Sequence, residues 1–361
     1  MKIQAMVLAV LVVCVVVIPD CSCRAERPTG TFSIVAYDSV TGELGVVVQS
    51  RAFGVGAAVA WAEAGVGAIA TQAQTNQSFG PRGLDMLRSG LGSGEVLELL
   101  LESDPGRENR QIGIIDGCGA PVNFTGSECL VWAGGVTGTG YACQGNILAS
   151  EEVVTSMATA FEETGGELAE RLLGALVAAQ AAGGDKRGMQ SAALLVVRPS
   201  ETYPEYNYRY VDLRVEDHTD PINELIRLYR LHEKSDLLFA HTRYVAYYDS
   251  TGRADLADRE RKVVGGMLKR ALADKTDDAD LLNGLAWFCG TADLFLDEAL
   301  EAAERAVGLQ PEAAYILDTL AEVQFRLGMI DEAIATGEKA AALDPESTYY
   351  KGQLDRFKSA R

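Results

Sequence analysis

Histidine is scarce in this 361-residue chain, which has only three: His218, His232 and His241. Their spacing fits no metal-ligand pattern, which argues against a histidine-built zinc centre. His218 follows Asp217, but neighbours on a strand point to opposite faces, so the two make no prepared acid–base pair. No Cys-x-x-Cys pair occurs, which removes the usual zinc-ribbon and thiol-redox signatures. Gly-x-Ser-x-Gly is absent, and with it the nucleophile elbow; a Walker-type phosphate loop is absent too. The chain has no run of Lys or Arg, and 51 acidic residues against 32 basic ones give a formal charge of −19. Such a surface repels a phosphate backbone, so nucleic acid is not an expected partner. No motif implies a metal or an organic cofactor.

What is present reads as an ordinary globular protein, 48% hydrophobic with 37 glycines and long enough for two cores. Lys2 precedes an uninterrupted apolar run of 14 residues from Ala5 to Ile18. That length suits a signal peptide and falls short of the roughly 18 residues of a spanning helix. Small residues at Cys23 and Ala25 point to cleavage after Ala25. Lipid modification at Cys21 or Cys23 is the alternative, disfavoured by Pro19 and Asp20. The expectation is an exported protein, periplasmic or extracellular, with no later membrane span. Cleavage leaves Cys118, Cys129, Cys143 and Cys289; two of the first three form a disulfide, or all stay as buried thiols.

From Thr31 to about Val215 the pattern mixes strands and helices. Strands are expected over residues 32–37, 44–51, 57–61, 66–72, 111–116, 122–125, 192–198 and 208–215. Amphipathic helices are expected over 81–88, 94–102, 151–163 and 168–182. Hairpins at the start argue against a doubly wound parallel sheet and for a layered α/β body. After His218 the character is helical throughout, with Pro221 placed to begin a helix. Asp297-Glu298-Ala299 recurs as Asp331-Glu332-Ala333, and Pro311 recurs as Pro345, both at an offset of 34 residues. That is the tetratricopeptide period. The first copy is looser, with an extra residue in its turn after Trp287. Two copies need neighbours to bury their apolar faces, which residues 221–278 would supply as a degenerate unit or cap. The organisation is thus a signal peptide (1–25), a short segment (26–30), a body (31–218), a helical linker or degenerate repeat (219–278) and repeats (279–361).

Several motifs in the body resemble those of the family called domain of unknown function 1028. They are Thr31-Phe32-Ser33-Ile34-Val35-Ala36, Gln49-Ser50-Arg51, Trp61-Ala62-Glu63-Ala64-Gly65-Val66-Gly67 and Gly80-Pro81-Arg82-Gly83-Leu84-Asp85. Gln144-Gly145-Asn146-Ile147-Leu148 and Tyr210-Val211-Asp212-Leu213-Arg214 complete the set, in order, over about half the chain. The resemblance implies an Ntn-hydrolase-like fold, a four-layer αββα sandwich, here followed by an all-α repeat domain. It implies no established activity.

Ntn chemistry needs a Thr, Ser or Cys at a mature N-terminus, whose side chain attacks a carbonyl while its own α-amine accepts the proton. The ordinary α-amine pKa of roughly 7.7–8.0 suits that task. Thr31 is the candidate, since it begins the first strand behind Gly30. Cleavage after Ala25 would leave residues 26–30 attached and the amine blocked, so activity requires a cut at Gly30-Thr31. If the first hairpin turns about Val40 and Thr41, paired residue numbers sum to 81 and Thr31 faces Ser50, beside Gln49 and Arg51. Arg51 is a candidate for tuning the nucleophile or holding a substrate carboxylate, or else a structural partner of Glu63. Asn146, after Gly145, is the candidate oxyanion donor, or a turn residue satisfying its own backbone. Gln72 and Asn76 are candidates for lining the same cleft, and Asp185, in the Gly-rich loop 183–188, for ligand contacts.

Two readings follow. One is an amide-bond hydrolase with Thr31 as nucleophile. The other is a non-catalytic Ntn-like binding or assembly module, its repeats holding a protein or peptide on their concave face. Either is compatible with a homo-oligomer.

Overall fold

The computed structural model describes residues 30–199, 209–273 and 277–361. The expected signal peptide and residues 26–29 lie outside the described residues.

The chain opens with β1 (Thr31–Tyr37) and β2 (Leu44–Ser50), an antiparallel hairpin. Its turn is set by the Asp38 carboxylate, which accepts hydrogen bonds from the backbone of Val40 at 2.8 Å and Thr41 at 3.1 Å. Gly42 follows at φ 74°, a left-handed position that costs glycine nothing. The turn fixes the register, and Thr31 faces Ser50 as its position implies.

The body then runs α1 (Val55–Val59), β3 (Ala60–Glu63), β4 (Gly67–Ala73), α2 (Phe79–Arg88), α3 (Ser93–Glu102), β5 (Arg110–Asp116) and β6 (Pro121–Thr125). It continues through β7 (Gly134–Gly138), β8 (Tyr141–Asn146), α4 (Glu152–Glu163), α5 (Leu168–Ala181), β9 (Ser191–Val197) and β10 (Arg209–Val215). One sheet has the order β10-β9-β2-β1-β8-β7 and the other β3-β4-β5-β6. Every pairing among these strands is antiparallel. Alternation along the strands gives each sheet two apolar faces. Val35, Val46 and Val48 meet Ala68, Ala70 and Ile115 between the sheets. Ile69, Ile112 and Ile114 pack under Phe79, Leu84 and Leu100 of α2 and α3. Phe32, Ile34 and Val47 pack under Val154, Phe161, Leu172 and Leu176 of α4 and α5. The result is a four-layer αββα sandwich.

Two departures from the sequence reading concern this body. Residues 57–59 are helical, because Gly54 at φ 65° turns the chain into α1 before β3 begins. β7 and β8 are strands that the apolar pattern does not announce, and β8 is the inner neighbour of β1.

Helices follow: α6 (Pro221–His232), α7 (Leu238–Ser250), α8 (Ala254–Ala273), α9 (Ala279–Thr291), α10 (Leu296–Leu309), α11 (Ala314–Arg326), α12 (Ile330–Leu343) and α13 (Thr348–Ser359). Asp220 caps α6, accepting the Asn223 amide, with Pro221 in the first turn. The hairpins α9–α10 and α11–α12 carry the repeat. The turn of the first, residues 292–295, is one residue longer than that of the second, residues 327–329. Asp293 and Phe295 take positive φ in the longer turn, where the shorter one uses Gly328 at φ 79°. α7 and α8 pack as a further helix pair ahead of the repeats.

This helical region is joined to the body by a common core. Leu172 and Leu176 of α5 belong to one buried cluster with Ile222, Leu225 and Tyr229 of α6, Leu268 of α8 and Leu285 of α9. The same seam holds a buried charged group. Arg198, at the end of β9, reaches Glu43 at 3.3 Å and Glu260 of α8 at 2.5 Å. His241 of α7 lies 2.5 Å from Glu260 and 3.1 Å from Glu167, the N-cap residue of α5. Burial alone would depress His241, but Glu167 and Glu260 overcome it and raise its pKa to about 9. Burial would likewise raise Glu260, yet His241 and Arg198 bring it down to about 2. At Glu43 burial wins over Arg198, whose ion pair there is long, and the pKa rises to about 7. Among the described residues no helix is long and apolar enough to cross a membrane.

Candidate functional site

Strand alternation points Thr31 and Ser33 of β1 into the space between the sheets, together with Gln144 and Asn146 of β8, which pair with Ser33 and Thr31 respectively. Gln72 of β4 and Gln111 of β5 face them from the opposite sheet, and all six are at most 2% exposed. The inter-sheet layer is therefore apolar at one end and polar at the other.

Buried amides require partners, and here they largely supply one another, Gln144 Oε1 being left without one. Gln144 Nε2 donates to Ser33 Oγ at 2.7 Å, and Ser33 donates to Gln72 Oε1 at 2.6 Å. Gln72 Nε2 donates to Gln111 Oε1 at 2.8 Å and reaches the Thr31 carbonyl at 3.3 Å. Asn146 Nδ2 also donates to Gln111 Oε1, at 2.9 Å, while Gln111 Nε2 donates to Thr125 Oγ1 and the Gly145 carbonyl, both at 2.8 Å. Gln111 is thus the hub of a polar floor beneath Thr31. Gly113 leaves the space that Gln144 occupies, since a Cβ there would stand 2.3 Å from Gln144 Oε1.

At the upper end of β1 the arrangement is different in kind. Ser50 Oγ lies 2.6 Å from the Gly30 carbonyl oxygen, to which it donates, and 3.0 Å from Thr31 Oγ1. A serine hydroxyl has one proton. With that proton on the Gly30 carbonyl, the Thr31 hydroxyl is the donor to Ser50. Arg187 Nη2 donates to the same Gly30 carbonyl at 3.0 Å. Its guanidinium is held in a fork by Asp185, with Nε to Oδ1 at 3.1 Å and Nη2 to Oδ2 at 2.6 Å. Asp185 is itself fixed, because it accepts the Arg51 amide at 3.1 Å and the Arg187 amide at 2.9 Å, and its side chain is fully buried.

The structure brings Thr31, Ser50, Gln72, Asn146 and Asp185 together and separates the other candidates from them. Asn146 is next to Thr31, and its amide donates to Gln111; the donors at the Gly30 carbonyl are Ser50 and Arg187. Gln49 alternates to the opposite face of β2, under α4 and α5, fully buried with neither amide atom hydrogen-bonded. Arg51 joins the site through its backbone only, since its guanidinium points to Gln190 at 3.3 Å. Its proposed partner Glu63 is paired with Arg88 instead. Asn76 donates to Asp104 and accepts from Ser78 in the turn before α2, apart from the polar floor.

Arg187 and Gln111 are the functional candidates that sequence reading missed. Arg187 had a signal, two residues beyond Asp185 in the same glycine-rich loop. Gln111 had a weaker one, a polar residue at an inward position of an otherwise apolar strand. Cys118, Cys129, Cys143 and Cys289 are all free thiols, so the possible disulfide is not formed. No cluster of potential metal ligands occurs among the described residues.

Comparison with known proteins fits this picture. The model of a family of unknown function, DUF1028, matches residues 31–225. A crystal structure of a Silicibacter pomeroyi protein assigned to the same family is 33% identical, with a TM-score of 0.52 over 56% of this chain and 86% of that one. Tetratricopeptide domains align with much lower scores. The Sgt2 domain from Aspergillus fumigatus is 21% identical, at a TM-score of 0.25 over 32% of this chain and 78% of its own. The first such domain of Spaghetti, solved with an HSP90 peptide, is 16% identical at 0.24 over 35% and 94%. At such scores the repeat assignment stands on the 34-residue period and the helix hairpins themselves. No curated protein matches the chain.

Proposed function

Because the chain belongs to DUF1028, a family of unknown function, we infer its chemistry from its own site. We propose an exported Ntn-type hydrolase of amide bonds, with Thr31 as the nucleophile once the Gly30–Thr31 peptide is cut. The observation that carries this reading is the doubly held Gly30 carbonyl. Two donors, Ser50 Oγ at 2.6 Å and Arg187 Nη2 at 3.0 Å, converge on one peptide oxygen directly before a buried threonine hydroxyl. Donors fixed in advance around a carbonyl stabilise the charge that develops on its oxygen under attack.

Self-cleavage is an acyl shift from nitrogen to oxygen followed by hydrolysis. Thr31 Oγ1 bonds to the Gly30 carbonyl carbon while its proton passes to Ser50 Oγ, and the Ser50 proton moves to the carbonyl oxygen. Arg187 stabilises the remaining negative character. As the C–N bond between Gly30 and Thr31 breaks, the C=O re-forms, the proton on its oxygen passes back to Ser50 Oγ and the displaced Ser50 proton goes on to the leaving nitrogen, so that an ester joins Gly30 to Thr31. Water cleaves the ester, leaving a Gly30 carboxylate on the released segment and a Thr31 with free hydroxyl and free amine. In the mature protein that amine takes the proton from Thr31 Oγ1 as it attacks a substrate amide, and the place vacated by the Gly30 carbonyl receives the substrate carbonyl.

The test is the intact mass and N-terminal sequence of protein recovered from an exporting host. A start at Thr31 that is lost in Thr31→Ala supports the reading. A homogeneous start at Glu26 with Thr31 internal overturns it.

A second reading has its own observation. Tyr315 and Tyr349, 34 residues apart, stand at equivalent positions in the first turns of α11 and α13 and are 44% and 50% exposed. The Tyr315 hydroxyl donates to Asp280 of α9, and Tyr349 is hydrogen-bonded to Asp318 of α11. Repeated, half-exposed rings held in place by carboxylates suit a surface that binds a protein or peptide. Such binding is compatible with hydrolysis by the body.

A further inference from the structure

Gly30 marks where the acyl half of a cleaved amide must lie, and its surroundings limit what that half can be. A Cβ built on Gly30 would stand 2.6 Å from Cγ, Oδ1 and Oδ2 of Asp185 alike. A flexible side-chain end would give way, but this carboxylate has no freedom to do so. It is gripped by the Arg187 side chain and backbone and by the Arg51 amide, and its own backbone bridges to Leu148. Moving it would also withdraw Arg187 from the carbonyl that Arg187 holds.

We propose that Asp185 makes this a glycine-selective site: the hydrolase takes amides whose acyl unit is glycyl and rejects those bearing an L-side chain. The inference rests on the hydrolase reading and names its substrate class. The same carboxylate that orients Arg187 fills the volume where a side chain would sit. Specificity and carbonyl activation therefore come from one residue. The chain's own junction, Pro28-Thr29-Gly30 before Thr31, satisfies the rule it imposes.

The test uses protein matured to Thr31 and two probes, acetyl-Pro-Thr-Gly-p-nitroanilide and acetyl-Pro-Thr-Ala-p-nitroanilide. Wild-type protein is expected to favour the glycyl probe in kcat/KM by about 100-fold, the upper part of the range one methyl group can command in a tight site. Asp185→Gly lowers both rates through Arg187, and the expected signature is a fall of the glycine/alanine ratio to below about 10. A merely structural role would leave that ratio unchanged. A wild-type ratio near one, or a ratio that Asp185→Gly does not alter, overturns the proposal.

If neither probe is cleaved, the hydrolase reading fails by itself, and the site is read in the precursor. Gly30→Ala in a Thr31→Ala background should then lower the melting temperature by roughly 5 °C through overpacking, and Asp185→Gly should recover most of that loss. Absence of recovery shows that Asp185 does not define the space at Gly30, and the selectivity falls as well.

Discussion

Thr31 and Ser50 face each other across the first hairpin with their hydroxyl oxygens 3.0 Å apart, and Ser50 alone of the two touches the Gly30 carbonyl. In the proposed self-cleavage that order makes Ser50 a proton relay between the attacking oxygen and the oxygen being attacked. Ser50→Ala should therefore slow cleavage at Gly30–Thr31 by about 10²–10³-fold, the loss typical of one removed donor at such a carbonyl. The measurement is the time course of intact mass after synthesis. Cleavage at an unchanged rate would remove Ser50 from the chemistry.

In the proposed self-cleavage Arg187 acts through its fork geometry as well as its charge. Arg187→Lys keeps the charge but cannot accept the two-point grip of Asp185 while reaching Gly30. Processing should slow about as much in Arg187→Lys as in Arg187→Ala, by roughly 10²-fold in each. A lysine variant that processes at the wild-type rate would reduce the role of Arg187 to simple charge.

Gln111 ties the floor of the site together, so its loss should be felt as stability rather than as local flexibility. Gln111→Leu takes the buried side-chain partner from the Asn146 amide and the Gly145 carbonyl and leaves Gln72 Nε2 only its longer contacts to backbone carbonyls, that of Thr31 among them. The expected cost is about 2–4 kcal/mol, seen as a lower urea midpoint with an unchanged slope. A near-neutral effect would mean that the remaining amides repartner among themselves.

The seam between body and helices makes stability depend on pH in a definite direction. His241, raised from 6.5 to about 9, adds stability that is complete below pH 6.5 and lost as pH rises through 9. Glu43, raised from 4.5 to about 7, works in the same sense between those values. Glu260, lowered from 4.5 to about 2, adds stability above pH 4.5 that is lost as pH falls through 2. The melting temperature should fall between pH 6.5 and 9, with the His241 part on the order of 3 kcal/mol. His241→Gln should flatten that upper limb and also weaken the acid limb, because His241 is one of the two groups that hold Glu260 low. A wild-type protein with no slope from pH 6.5 to 9 would show that His241 is neutral in the folded state.

The layered fold was legible because its signals are local. The Asp38–Gly42 turn fixes a hairpin register that residue numbers alone reproduce, and α2 to α5 announce themselves by apolar residues three and four apart. β8 was not legible, because Tyr-Ala-Cys-Gln-Gly-Asn carries polar residues at its inward positions and apolar content too low to read as a central strand. The site suffered from the same cause. Thr31, Ser50 and Asp185 were reachable from motif and register, whereas the bond from the Asn146 amide to Gln111, on the opposite sheet, was not. Arg187 converges on Gly30 from 157 positions along the chain; its glycine-rich loop marked the neighbourhood but not that contact. Gln49 shows the limit of adjacency: one step along β2 from Ser50, it lies on the other side of the sheet.

The unbroken core from α5 through α6 and α8 into α9 gives the repeat array an anchored beginning. A solenoid ordinarily needs a dedicated terminal unit at each end to hide its first and last apolar faces. Here the pair α7 and α8 hides the first face, and α6 seats that pair on the body, so this array starts from a unit fixed to the body instead of a free one. Growth or shortening of the array is then one-directional: units can be gained or lost only at the α13 end, where Phe357 closes a small separate cluster with Ala333 and Ile334. The reach of the array from the Thr31 site would therefore change by whole helix pairs at its far end, while its point of origin stays fixed.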